Sequence, residues 1–453
     1  MSTPRFIAVI DIGKTNAKVV LIDAQSGAQL AARSTPNTVR QDGLYPHADV
    51  ERLATFITTA LRDIHAEHGI EGISITTHGA TAALMAGGRL AMPVLDYEYA
   101  GPEETGAAYS KVRPDFSESL SPRLPNGLNL GAQIFWQSQA YAERFAEVTA
   151  ILTYPQYWAW RLTGVMASEV TSLGCHTDLW APQAGGFSSM VAECGWAGLF
   201  PSVRPANSVL GPILPAIAAA TGLPEATPVT CGIHDSNASL LPHLGAHEAP
   251  FTILSTGTWV IAMTVGGDTT HLDPTRDSLA NVDAFGRAVP TARFMGGREF
   301  DMLAPGAVEP SQAEIINVIN DDVQALPSFM TGVGPFPGAV GRWTKGPEQL
   351  SPGERTAAVS LYLALVTRAC LDLAGVGRRI VIEGPLARNE LFGQALAALT
   401  GVPVSASGDA TGTSLGASML FGGEHGAAKA GLIRKPLDIQ GFAAYCARWR
   451  ERV

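Results

Sequence analysis

The run Asp11-Ile12-Gly13-Lys14-Thr15-Asn16 gathers a carboxylate, a glycine, a hydroxyl and an amide into one short turn. Such a turn presents N–H and hydroxyl donors to a phosphate. An aspartate at its mouth can hold Mg2+ against phosphate oxygens, directly or through water. The competing reading is an ordinary hairpin turn whose Asp and Asn satisfy their own backbone. The Gly-Lys-Thr triplet is not a P-loop: that loop needs a glycine at position 8, where Ala8 stands, and it joins a strand to a helix. Near mid-chain, Leu254-Ser255-Thr256-Gly257-Thr258-Trp259 repeats the chemistry, with Gly257 for close approach and the hydroxyls of Ser255, Thr256 and Thr258 as donors. Together the two turns read as a facing pair of phosphate clamps across a cleft.

In Gly232-Ile233-His234-Asp235-Ser236-Asn237 the aspartate stands at the C-terminal edge of a short strand, where α/β sheets present groups to ligands. Asp235 fits either a helix N-cap or a general base that accepts a hydroxyl proton during phosphoryl transfer. His78 also ends a buried strand, beside Gly79, and is either ligand-facing or a hydrogen-bonded core histidine. The loops Gly384-Pro385-Leu386-Ala387-Arg388-Asn389 and Thr411-Gly412-Thr413-Ser414 follow strands and open helices, which suits the flat base and ribose of a nucleotide. The pairs His65/His68 and His243/His247 have helical spacing but no HExxH pattern.

The elements that carry these residues follow from periodicity. Two β-rich runs flank the polar turn in 6–23, and again in 251–265, which suggests a duplicated architecture with a boundary near 245–250. Residues 50–68 place Leu53, Phe56, Ile57, Ala60, Leu61 and Ile64 on one helical stripe. The stretch 140–162 reads as buried helix, with the aromatic run 154–160 as core, and 228–234 as a buried strand. Residues 354–374 predict a long helix, followed by the strand RIVIEG, a helix, the strand VPVSA and a last helix from about Ser414. Strands alternating with helices in both halves predict α/β domains.

Composition narrows the function classes. The chain has 453 residues, 46% of them hydrophobic, enough for full cores. Its 31 Lys+Arg against 41 Asp+Glu give a net charge of −10, which argues against wrapping nucleic acid or coating an anionic membrane. No stretch approaches the apolar run that spans a bilayer, and the start MSTPRFIAVIDIG lacks a signal-peptide pattern. Cys175, Cys194, Cys231, Cys370 and Cys446 are scattered and form no CxxC, which fits a reducing compartment. A cytoplasmic protein with no nucleic-acid or membrane partner is expected.

Taken in order, DIGKTNAKVV, TYPQYWAWRLTGVMASEVTSLGCHTDLW, GIHDSNAS, STGTW, EGPLARNELFGQALAALTGVPV and ATGTSLGASML resemble the FGGY carbohydrate kinase family over nearly the whole chain. The resemblance implies an α/β protein of two ribonuclease-H-like domains of the actin-like ATPase superfamily, with the active-site cleft between them. Residues 1–246 would bind sugar and supply the base, and 247–453 would bind ATP. Matched by position, Asp235 becomes the general base and Asp11 the Mg2+-associated aspartate. Gly13, Thr15 and Asn16 form the first clamp, and Ser255, Thr256, Gly257 and Thr258 the second. Gly384, Asn389 and Gly412 fall near the adenosine; His78, His234, Asp235 and either Asp96 or Glu98 fall near the sugar.

The His-Asp and Gly-Thr-Trp pairings look most like the L-rhamnulose and L-fuculose kinase branch, whereas His78-Gly79 is similar to xylulose kinases. Pro385 stands where the family usually has glycine, and removes an N–H donor. The implied activity is ATP- and Mg2+-dependent phosphorylation of a primary hydroxyl on a ketose or deoxyketose, with a homodimer left open. The rival is a catalytically silent sugar or nucleotide sensor on the same scaffold, against which the intact Asp11, Asp235 and STGTW argue.

Overall fold

The computed structural model describes residues 3–407, 412–422 and 431–453. The chain forms two compact units. One comprises Met1–Ala246 with Asn281–Arg287 and Thr411–Ala428; the other comprises His247–Ala280, Ala288–Ala410 and Lys429–Val453. The long first segment thus ends at 246, and two later stretches join it.

In the first unit the β-branched run Phe6–Ile12 pairs antiparallel with Asn16–Asp23 and parallel with Gly72–Thr77. Ala28–Pro36 extends the sheet on one side, and Pro228–Thr230 and Val209–Pro212 on the other. Helix Val50–His68 begins where Asp49 accepts the Arg52 N–H at 3.2 Å and ends at Gly69, whose φ of +79° favours glycine. Its buried stripe of Leu53, Ile57, Ala60, Leu61 and Ile64 joins Ile10, Ile73 and Ile75 in one core, with Phe56 half-buried at its rim. The stretch 140–162 is not helical throughout. A fully buried strand, Ala150–Thr153, separates helices Ala142–Phe145 and Tyr154–Thr163 and pairs antiparallel with Ala82–Ala86. Pairing with a waiting strand overrides the helical composition there. Tyr154, Tyr157 and Trp158 are buried core residues, as the aromatic run predicts.

The second unit repeats the arrangement. Phe251–Thr256 pairs antiparallel with Val260–Val265 and parallel with Ile380–Glu383. Helix Pro352–Ala374 opens on a reciprocal Ser351–Glu354 capping box. Contrary to the expectation that no such stretch exists, it is long and apolar enough by composition to cross a membrane. It is instead the central core helix, with strands Val260–Val265 and Ala288–Phe294 and helices Gln312–Asn320 and Glu390–Thr400 packed around it. A helix enclosed by neighbours must be apolar on nearly every face.

Candidate active site

Strand register assembles the first cluster. Ile12 stands opposite Thr77, and His234 stands opposite Thr77 from the other side. Gly13, His78 and Asp235, each one residue further on, therefore emerge at one sheet edge. The His78 N–H donates to the Ile12 carbonyl at 2.8 Å and ties the edge together. The Gly13 N–H closes its turn on the Asn16 carbonyl at 2.9 Å, leaving Thr15 and Asn16 exposed at the tip. Asn37 braces this turn, its side chain donating to the Gly13 carbonyl and its N–H to the Thr15 carbonyl, each at 2.8 Å. Among the described residues the Lys14 and Thr15 N–H groups meet no acceptor.

Asp11 is buried opposite Lys18 in the hairpin. Its Oδ2 takes the Lys18 ammonium at 3.1 Å and the Ser414 hydroxyl at 3.0 Å. Burial raises its carboxyl above the usual range; Lys18 and Ser414 pull it back, while the Asp235 charge adds to the rise. Asp11 and Asp235 thus lie within each other's field.

Lys14, to which sequence reasoning gave no role, forms an ion pair with Asp96 and another with Glu98 at 3.3 Å. Its ammonium also sits 4.6 Å above the Tyr97 ring. The Asp96 side chain is 11% exposed and also accepts the Glu98 N–H at 3.2 Å, whereas the Glu98 side chain is 63% exposed. Asp96 is therefore the anchored carboxylate of the two. The Tyr97 ring meets His78 edge-on at 5.5 Å, and Tyr154 flanks His78 at 5.2 Å. The His78 Nδ1 faces the Gly79 carbonyl at 3.0 Å, so it carries the proton and leaves Nε2 as an acceptor in the neutral ring. Burial lowers the His78 pKa and favours that neutral form.

Asp235 opens helix Asp235–Ala246. Its Oδ1 accepts the Ser236 N–H at 2.6 Å and lies 3.2 Å from the His234 Nε2, with the side chain 32% exposed. First-turn hydrogen bonding and an accessible carboxylate therefore coexist. His234 is 5% exposed and both ring nitrogens face protein groups, Nδ1 at 3.1 Å from the Asn237 Oδ1 and Nε2 at 3.6 Å from the Cys175 Sγ. That burial departs from the sugar contact assigned to it. Gly79 makes room for the ring, since a Cβ there would lie 2.7 Å from the His234 Nε2. Burial disfavours the His234 cation, but the Cys175 sulfur and the Asp235 carboxylate outweigh it and raise the group to about 10. Burial likewise opposes ionisation of Cys175, and His176 and His234 overcome it, lowering the thiol to about 5.

Gly412, expected with the ATP-binding half, belongs to the first unit, where it precedes helix Thr413–Ser418. Ala410 and Thr411 of the same run lie outside the described residues. That helix presses on helix Asp235–Ala246: a Cβ on Gly416 would lie 1.7 Å from the Ala238 carbonyl oxygen. The Thr413 and Ser239 hydroxyls meet at 3.2 Å.

The second cluster lies in the second unit. Gly257 and Thr258 are exposed, and the Gly257 N–H closes the turn on the Trp259 carbonyl at 2.8 Å. Thr256 is not a spare donor. Its buried hydroxyl donates to the Glu383 carbonyl and accepts the Leu386 N–H at 3.1 Å. Ser255 is half-buried within its strand, opposite Ile261 and Glu383. Gly384, at φ +83°, has no space for a side chain, because a Cβ would lie 1.9 Å from the Thr256 carbonyl oxygen. Asn389 caps helix Glu390–Thr400: its Oδ1 accepts the Phe392 N–H at 3.0 Å and its Nδ2 donates to the Ser360 hydroxyl at 2.8 Å. Its amide is thus committed to structure, although Asn389 lines a cavity of about 570 Å³ with Gly257, Thr258, Gly297, Arg298 and Pro385. That volume suits a small molecule.

Lys14, Asn37, Cys175, Asn237, Gly297 and Arg298 complete these clusters without having been singled out as site residues from sequence. Only Gly296-Gly297, two glycines at a helix start, carries a local signal, and the reason is steric. A Cβ on Gly297 would lie 1.8 Å from the Gly257 carbonyl oxygen.

Residues 6–242 match the FGGY family of carbohydrate kinases, N-terminal domain, and 248–430 match the carbohydrate kinase FGGY C-terminal domain. The crystal structure of a carbohydrate kinase from Novosphingobium aromaticivorans is 38% identical, with a TM-score of 0.91, and the match covers 98% of this chain and 100% of that one. An L-fuculokinase of Escherichia coli (strain K12) is 25% identical over 294 residues, 61% of each protein. A xylulose kinase of the same strain is 25% identical over 267 residues, 55% of this chain and 52% of that protein. The chain thus spans about three fifths or less of the length of these curated relatives. With both domain models matched in order, the chain belongs to the FGGY family of carbohydrate kinases.

Proposed function

We propose that the protein is an ATP-dependent kinase that phosphorylates a primary hydroxyl of a ketose or deoxyketose of the L-rhamnulose, L-fuculose or xylulose type. The observation that carries this reading is the company Asp235 keeps. A partly open carboxylate shares one sheet edge with the acceptor nitrogen of His78 and the donor-rich turn at Gly13.

Asp235 takes the hydroxyl proton as the oxygen attacks phosphorus, a role that asks for an ionised carboxylate within hydrogen-bond reach. The His78 Nε2 accepts from one sugar hydroxyl. Asp96, anchored by Lys14, accepts from others, with Glu98 more loosely placed. Gly13, Thr15 and Asn16 offer donors to phosphate; Gly257 and Thr258 also offer them, with the cavity beside those two for the nucleoside. Gly384 shapes that cavity's backbone rather than touching the base.

Mg2+ fits Asp11. The ion binds through one or two carboxylates and fills its remaining positions with water and phosphate oxygens, and both described contacts of Asp11 fall on Oδ2. Among the described residues no cluster of three His, Cys, Asp or Glu offers an all-protein cage. When bound, the ion would neutralise phosphate charge. A cytoplasmic location, with sugar and nucleotide as the partners, goes with this reading.

An ADP-release assay across D- and L-ketoses, deoxyketoses and polyols tests it. ADP release that depends on one ketose supports the proposal. Sugar binding without turnover would favour the sensor, and sugar-independent hydrolysis would favour another kind of ATPase.

A further inference from the structure

A cavity of about 960 Å³ lies in the first unit, lined among the described residues by side chains from 170–245, 284–286 and 419–420. It shares no lining residue with the candidate active site and is larger than the cavity beside Gly257. Its walls are mostly apolar, with Trp180, Phe187, Leu241, Leu244, Phe285 and Leu420 among them. Ligand cavities have this size and this character.

The walls are fixed by the fold. Trp180 pairs with Phe187 across a two-stranded sheet, and their rings meet edge-on at 5.5 Å. Leu241 and Leu244, three positions apart, share one face of helix Asp235–Ala246. The turn that carries Phe285 is pinned by Asp283, whose Oδ1 accepts the Phe285 N–H at 2.9 Å and the Arg287 N–H at 3.0 Å. Phe285 is nevertheless 68% exposed. Covering such apolar surface is favourable, and walls already in place reduce the ordering cost of binding.

Charge selects the occupant. Arg204 is the one charged side chain among the described residues that line the cavity. It is exposed, and its guanidinium has neither an ion-pair partner nor a hydrogen-bond acceptor among the described residues. Asn207 adds an exposed amide from the same segment. In a chain of net charge −10, an anion must be held by such a local cation rather than by bulk charge. A guanidinium holds an acid group through paired N–H donors.

We propose that this cavity binds a small organic anion, its apolar body against Trp180, Phe187 and Leu241 and its acid group at Arg204. The site goes beyond the kinase reading and does not depend on it.

Anilinonaphthalene sulfonate, an apolar body with one acid group, is the probe, with its fluorescence read on the full chain. It should saturate at one molecule per chain, and decanoate should displace it at least about tenfold more effectively than decanol. Arg204→Met should remove that preference, because it keeps the apolar contact and deletes the charge. Gly186→Phe should abolish probe binding by filling the cavity, since a Cβ on Gly186 would meet nothing within 4 Å. If Gly186→Phe does not fold, Gly245→Phe, equally open, takes its place. Absent or unsaturable probe binding, binding unchanged by the filling variant, or a decanoate preference that survives Arg204→Met overturns the proposal. So does a concentration-dependent dimer that excludes the probe and that Phe285→Ser dissolves, which would give the cavity to a second copy of the chain. None of these readouts needs turnover, so a protein without sugar kinase activity leaves the test intact.

Discussion

The Ser414 hydroxyl donates to the Asp11 Oδ2 at 3.0 Å across 403 positions of sequence. A residue near the end of the chain thereby helps hold the buried carboxylate assigned to magnesium. Ser414→Ala leaves that carboxylate with one fewer donor, and hydrogen bonds to charged groups contribute about 1.5–3 kcal/mol. The urea midpoint should fall accordingly, and ADP release should become more sensitive to low magnesium. A midpoint equal to wild type would show that Lys18 alone suffices.

Asp235→Asn removes the proton acceptor and keeps its shape. Turnover should drop by roughly 10²–10⁴, with a much smaller change in sugar KM, measured by coupled ADP release. Near-normal turnover would dismiss Asp235 as the base.

Lys14→Met should release Asp96 and Glu98 together and raise the sugar KM by about tenfold, the equivalent of about 1.4 kcal/mol. Asp96→Asn should cost more than Glu98→Gln, because only Asp96 is both shielded and doubly held. Equal effects of the two carboxylate variants would argue against that ranking.

Gly297→Ala drives a methyl group to 1.8 Å from the Gly257 carbonyl oxygen. The turn must move, and overpacking of this kind costs about 1–3 kcal/mol. Calorimetry should show weakened ADP binding with sugar binding retained. Unchanged ADP affinity would remove the Gly257 turn from the nucleotide site.

Glu169 predicts a pH dependence of stability. It is fully buried, accepting the Thr171 and Ser172 N–H groups at 3.0 and 3.3 Å and the Thr171 hydroxyl at 2.5 Å. Burial raises its carboxyl from 4.5 to about 7, with the Thr171 and Ser172 bonds and the His234 charge pulling it back. The folded state therefore holds this proton more tightly than the unfolded one. Its contribution is fully present below about pH 4.5, declines as pH rises toward 7, and is flat beyond. The total is on the order of 3 kcal/mol, since a difference of one between folded and unfolded pKa is worth about 1.36 kcal/mol. Urea midpoints from pH 4.5 to 8 should show this decline in wild type relative to Glu169→Gln; parallel curves would refute it.

Local sequence carried a good deal of this architecture. The hairpins around Gly13 and Gly257, the stripe of helix Val50–His68 and the strand Ile380–Glu383 follow from patterns a few residues long. The strand Ala150–Thr153 did not, because its partner Ala82–Ala86 is remote in sequence. Site residues divide in the same way. Asp235 and Asp11 stand out by motif, whereas Lys14 gains its role only when folding brings it against Asp96, and Cys175 only when His234 arrives beside it. Thr256 and Asn389 show the converse. Their types suited a ligand, yet backbone groups and a helix end had already claimed them.

The first unit draws on three separated stretches, the last of them Thr411–Ala428. On the ribosome its core cannot close until residues 411–428 have emerged, so an otherwise early-folding half waits, with apolar surface open to aggregation or chaperones. Exchanging carboxyl-terminal halves between relatives at residue 246 would import a foreign Gly416 helix against the native helix Asp235–Ala246. Chimeras that carry 411–428 along with the amino-terminal parent should express as the better-behaved proteins.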